Sequence, residues 1–181
     1  MRSTQRPLPI KAKARLCVQG QNDPDCATGQ VKTDAPTVQR ISTVLFLHAV
    51  VCFGWCDTLR CGDVSNAFLQ GNSSEGEALC MYSPKQGLPG VPPGCLLKLK
   101  KPVYGRPDAP RAWFDVFSGV LVNEHGFVQS KLDPALFIRR DSKNDVCALA
   151  VIHVDDIMIA HNGSIEMQES VSTLHGRFPF G

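Results

Sequence analysis

The sequence lacks an apolar run long enough to cross a bilayer, since its densest stretch, Val44 to Phe53, is too short and too interrupted for a span of about 20 residues. No signal-peptide pattern opens it, and it contains no internal repeat. It also lacks an excess of either charge, because 19 Lys and Arg against 17 Asp and Glu leave a net charge of +2. Its eight cysteines contain no CxxC pair. Cys52, Cys56 and Cys61 lie close together, but no matching His/Cys pair follows, which argues against a zinc module. At 181 residues the chain is long for a disulfide scaffold. The expectation is an intracellular protein without a membrane partner, with reduced thiols acting mostly as small buried hydrophobes. A cytoplasmic particle and the nucleus remain equally open as locations.

What is present is ordinary globular material, 43% hydrophobic and 20% charged, of a length that fits one domain. The charge is uneven. Through Arg40, seven basic residues (Arg2, Arg6, Lys11, Lys13, Arg15, Lys32, Arg40) face only Asp23, Asp25 and Asp34. A second cluster, Lys98, Lys100, Lys101, Arg106 and Arg111, is opposed locally by Asp108 alone. Such clusters can neutralise phosphates, although a solvated basic face accounts for them equally well.

Residues 1–10 read as a flexible arm, residues 12–19 as a strand and residues 21–29 as a loop. The apolar run 38–53 reads as a buried helix stopped by Gly54. Residues 58–63 form a short strand candidate ending on Asp63, and residues 64–69 begin another element closed by Gly71. Strands are expected at 78–82 and 96–99 among Pro- and Gly-rich loops. A helix is expected over 109–125, because Pro110 suits its first turn, Trp113, Phe117, Val120 and Leu121 share a face, and Gly126 suits its end. Residues 135–140 and 146–154 read as a hairpin, 157–160 as a third strand, and Ser164 as the cap of a helix carrying Met167, Val171 and Leu174.

Besides His153, only Asp155 and Asp156 interrupt the apolar run Cys147 to Ala160. Two adjacent carboxylates between apolar strands are costly to bury unless paired, protonated or bound to a cation. A metal resolves that conflict, and so does an exposed β-turn, where Asp is favoured for its backbone hydrogen bonds.

The order of several segments carries more information than any one of them. Lys13-Ala14-Arg15-Leu16 with Gly20, Ala35-Pro36 before a helix, Asp63-Val64-Ser65-Asn66-Ala67-Phe68-Leu69-Gln70-Gly71, and Leu99 to Gly105 followed by Ala109-Pro110-Arg111-Ala112-Trp113 come in succession. Asp133 to Ile138 and Val154-Asp155-Asp156-Ile157 complete the set. Over most of residues 11–181 these resemble the reverse transcriptase domain of copia-class retrotransposons, with its KARL, DVxxAFLxG, APRAW and VDDI blocks. The resemblance implies an α+β fold, the palm and fingers of a right-hand polymerase, with an antiparallel sheet, packed helices and no thumb in this C-terminally truncated stretch. It implies RNA-directed DNA polymerase activity within a Pol polyprotein: nucleotidyl transfer from a dNTP to the 3′-hydroxyl of a primer on an RNA or DNA template.

By the same resemblance, Asp63, Asp155 and Asp156 are the catalytic carboxylates and ligands of two Mg²⁺ ions, with Mn²⁺ as a substitute. Lys13 and Arg15 reach the triphosphate, Phe68 closes over the sugar 2′ position, Tyr104 and Gly105 lie beside the incoming nucleotide, and Arg111 contacts the nucleic-acid backbone. Trp113 reads as a core residue. The chain departs from the family pattern at Asp34, Gly62 and His153, at Arg106-Pro107-Asp108, and in the spacing of Trp55 from Asp63. The competing readings are a catalytically silent relic or nucleic-acid-binding module on the same fold, and an unrelated metal phosphohydrolase. The last explains the aspartates but not the other blocks.

Overall fold

The computed structural model describes residues 15–20, 32–72 and 80–180. Its centre is a five-stranded antiparallel sheet of spatial order β1-β7-β6-β5-β4, formed by β1 (Arg60–Asp63), β4 (Val128–Gln129), β5 (Leu136–Arg140), β6 (Val146–His153) and β7 (Asp156–His161). A separate two-stranded ribbon pairs β2 (Cys80–Tyr82) with β3 (Leu96–Lys98). The helices are α1 (Arg40–Cys52), the single turn α2 (Ala67–Gln70), α3 (Ala109–Asn123) and α4 (Ile165–Arg177).

Strand β6 shows why the apolar run is continuous rather than alternating. Helices cover both faces of the sheet, so six successive residues, Cys147 to Ile152, are buried. On one face Ala148, Ala150, Ile152, Ile157 and Ile159 pack against Trp113, Phe117 and Leu121 of α3 and Met167 and Leu174 of α4. On the other, Leu149, Val151 and Ala160 meet Phe46 and Val50 of α1 together with Trp55. A 3₁₀ turn, Cys56–Thr58, fills the extra spacing between Trp55 and β1.

Most expected elements stand close to their expected bounds, including α3 with Pro110 in its first turn and Gly126 in the left-handed region at φ 66°. Ser164 caps α4 by accepting from the Met167 amide. Three expectations are corrected. The helix at 38–53 is buried on one side only: Ile41, Val44, Leu45 and Val51 are exposed, because no described element packs on its outer face. Residues 15–19 form no strand. The segment instead runs beside the loop after β3, its Val18 and Gly20 amides donating to the Tyr104 and Gly105 carbonyls. Among the described cysteines only Cys147 is buried, since Cys17, Cys52, Cys56, Cys61 and Cys80 fall on loops, the outer face of α1 and sheet margins. The arm at 1–10, the loop at 21–29 and residues 12–14 lie outside the described residues.

Candidate functional site

Strands β6 and β7 are joined by a two-residue turn, Val154-Asp155, whose flanking residues His153 and Asp156 pair across the hairpin. The turn requires Val154 to adopt φ 60°, which is unusual for a β-branched side chain and points to a conformation imposed from outside the turn. Two contacts impose it. The Val64 amide donates to the Asp155 carbonyl at 2.8 Å, and the Trp113 indole N–H donates to the Val154 carbonyl at 2.8 Å.

The first of these contacts places the end of β1 against the turn, so that Asp63 and Asp155 line one cleft of about 530 Å³. Arg15, Ser65, Asn66 and Tyr104 line it as well. Asn66 sits in the left-handed region at φ 54° just before α2, a conformation Asn tolerates better than most residues. Arg15 lies over the Tyr104 ring at 5.4 Å, and Tyr104 packs on Phe68 with ring centroids 5.2 Å apart. Phe68 is half-buried against the main core. It adjoins the cleft through Tyr104.

Gly105 is required by a close approach. At φ 89°, a Cβ added there would overlap the Val18 carbonyl oxygen, and a Cβ on Gly20 would overlap the Gly105 carbonyl. This pair of glycines lets the segment carrying Arg15 close on the loop carrying Tyr104.

The sequence-selected residues therefore divide. Asp63, Asp155, Arg15 and Tyr104 meet in one cleft, with Phe68 and Gly105 adjoining. Asp156 is the register partner of Asp63 but lines a neighbouring cleft of about 690 Å³ on the α1 side, with Arg40, His153 and Met158. Arg111 is engaged within the protein, donating to the Asp115 carboxylate at 2.9 Å and to the Asp34 carbonyl at 3.1 Å. Lys13 lies outside the described residues. The departure at 106–108 is a buried two-pronged ion pair, Arg106 Nε to Asp108 Oδ1 at 2.7 Å and Nη2 to Oδ2 at 2.5 Å.

The chemistry of the donor set suits a hard divalent cation. Asp63 and Asp155 line one open cleft, and two carboxylates so placed are what Mg²⁺ takes when waters and substrate phosphates complete its octahedron. Among the described residues no three His, Cys, Asp or Glu side chains converge into a closed cage. Sequence reading missed Trp113 and Val154 as parts of the site. The indole was legible as core, but its hydrogen bond depends on tertiary placement.

The chain thus presents an antiparallel sheet backed by helices, with adjacent aspartates at a β-hairpin turn and Arg15 and Tyr104 on the cleft that Asp155 lines. Residues 3–180 match the family model described as reverse transcriptase (RNA-dependent DNA polymerase), and the chain belongs to that family. Among curated proteins it is 32% identical over 166 residues to the retrovirus-related Pol polyprotein from transposon RE1 of Arabidopsis thaliana and 31% identical over 166 residues to that from transposon RE2. It is 26% identical over 151 residues to the corresponding polyprotein from transposon TNT 1-94 of Nicotiana tabacum. These matches cover 92%, 92% and 83% of this chain but only 11% of each polyprotein. No solved structure matches the chain significantly. No described helix is long and apolar enough to cross a membrane.

Proposed function

We propose that the chain is the palm and fingers portion of a copia-type RNA-directed DNA polymerase, part of a Pol polyprotein, and that it joins a dNTP to a primer 3′-hydroxyl on an RNA or DNA template. The observation that carries this reading is the Val64 amide to Asp155 carbonyl bond, which sets Asp63 and Asp155 side by side over the cleft that Arg15 also lines. Asp63 and Asp155 would hold the shared Mg²⁺ ions, or Mn²⁺ in their place, with Asp156 supporting from the adjoining strand position. When bound there, such ions would supply Lewis-acid activation of the attacking hydroxyl and charge compensation for the triphosphate and leaving group.

The remaining steps belong to the chain itself. The Arg15 guanidinium compensates triphosphate charge, with Lys13 assigned the same task by resemblance. The Phe68 ring, packed on Tyr104, would close over the sugar 2′ position, with Tyr104 beside the incoming nucleotide. The close-packed backbone at Gly105 fixes Tyr104 there. Arg111, which bonds Asp115 and the Asp34 carbonyl within the chain, would contact the nucleic-acid backbone. A catalytically silent relic would keep this fold and these contacts but lack the parts that hold primer and template.

The experiment that tests the metal site is a thermal melt with and without Mg²⁺ or Mn²⁺. A cation bound only by the folded state raises stability by about 2.7 kcal/mol at a hundred times its Kd, by mass action on the folded state. The melting temperature of the native chain is expected to rise with metal, and that of the Asp63→Asn, Asp155→Asn double variant to stay flat. Equal rises in both proteins would dismiss the shared metal site.

A further inference from the structure

We propose that Trp113 is a positioning residue for the aspartates: its indole N–H holds the Val154-Asp155 turn in the conformation that keeps the Asp155 carboxylate on the cleft it shares with Asp63. This rests on the metal-site reading above and deepens it. Val154 is the only β-branched residue at positive φ among the described residues, a conformation that its side chain disfavours. The compensation arrives from α3, 41 positions earlier in sequence, through the 2.8 Å bond from Trp113 Nε1 to the Val154 carbonyl.

The indole is itself immobile. Trp113 is 0% exposed and is wedged against Phe117 and Phe178, with ring centroids 5.1 and 5.3 Å away. A buried indole has one polar atom to satisfy, and here that atom is spent on the turn. On the other side of Asp155 the Val64 amide takes the next carbonyl. Asp155 is thus held between two successive backbone anchors, one from α3 and one from the end of β1. Partners that orient a metal ligand in this way commonly contribute about 10-fold to 100-fold in metal affinity.

The experiment compares the native chain with Trp113→Phe, Val154→Gly and the double variant. Phenylalanine keeps an aromatic ring in the core and removes the N–H, and glycine adopts positive φ without strain, so that the turn no longer needs to be held. Two measurements are made, Mn²⁺ affinity by electron paramagnetic resonance and amide exchange at Val64 by NMR. The expected result is that Trp113→Phe weakens Mn²⁺ by roughly tenfold or more and speeds Val64 exchange beyond the acceleration seen at the central Leu149 amide. Adding Val154→Gly restores both. Native Mn²⁺ affinity in Trp113→Phe overturns the proposal, and so does a loss that Val154→Gly fails to recover, which would assign the effect to ring packing. If the native chain itself binds no Mn²⁺, the metal reading of the site falls, and this inference falls with it.

Discussion

Asp133→Ala is expected to lower stability by about 2 to 3 kcal/mol, well above the ~1 kcal/mol of an ordinary substitution. The residue is 2% exposed and lies in the turn before β5, where its carboxylate accepts from the Gln39 amide at 2.9 Å and the Ala135 amide at 3.0 Å. One side chain therefore ties the start of α1 to the central sheet, beside the Val38 amide that donates to the Ile152 carbonyl. Removing it leaves a buried amide at Ala135 without a partner. Urea titration at pH 7 checks the size of the effect, with the midpoint expected to fall by roughly 1 M or more. An unchanged midpoint would show that α1 docks without this tie.

The pH dependence of this variant has a definite sign. Burial by itself would raise the Asp133 pKa, but hydrogen bonds from the Ser42 side chain and the Gln39 and Ala135 amides outweigh it and hold the carboxyl below its ordinary value. A depressed folded pKa means that the stabilisation is fully present above the unfolded value of about 3.9 and is lost as pH falls through the folded one. Two buried histidines act in a separate window. Burial lowers the pKa of His125, and burial followed by the Arg60 charge lowers that of His161, so both favour the fold when neutral and weaken it as pH drops below about 6.5. The native chain should therefore lose stability in two stages on acidification. Asp133→Ala should retain the first stage and lack the second.

The strands and helices of the last third were legible because their signals are local. Pro110, Gly126 and Ser164 act within a turn of their own positions, and the run Cys147 to Ile152 is apolar throughout because helices cover both faces of β6. Strand β4 was missed, being two residues at the sheet margin with Val128 and Gln129 both exposed. The burial of α1 was overread for a different reason. Ile41, Val44, Leu45 and Val51 give the helix apolar residues all round, so composition alone could not say which side meets the sheet.

The candidate site divides in the same way. The hairpin that presents Asp155 follows from the apolar run, but its approach to Asp63 depends on β1 pairing with β7, a contact between segments more than 90 positions apart. Only the order of the motif blocks anticipated it. The Trp113 hydrogen bond and the left-handed Val154 had no sequence signal of their own, and residues 12–19 were read as a strand because extended backbone looks the same whether it joins a sheet or, as residues 15–19 do, docks on a loop.

That docking leads to the sharpest functional expectation: Gly105→Ala should weaken binding of a dNTP with Mg²⁺ by about tenfold to a hundredfold while leaving most of the stability intact. An alanine at φ 89° is strained, and its Cβ would overlap the Val18 carbonyl, which is backbone and cannot rotate away. The segment at 15–20 must therefore retreat, giving up the Val18 amide to Tyr104 carbonyl bond at 2.8 Å and the Gly20 amide to Gly105 carbonyl bond at 3.2 Å. Arg15 leaves the cleft with it. A charge-assisted bond to phosphate contributes about 1.5 to 3 kcal/mol, and each 1.4 kcal/mol is tenfold in affinity. The fold should tolerate the change, because Val18 and its neighbours belong to neither core cluster. Calorimetric titration of Mg²⁺ and dNTP into the native chain, Gly105→Ala, Arg15→Ala and the double variant would measure the effect, alongside thermal melts. The two single variants should lose affinity alike, and the double variant should lose little more than either. If Arg15→Ala binds weakly while Gly105→Ala binds as the native chain does, the glycine is not what holds Arg15 over the aspartates.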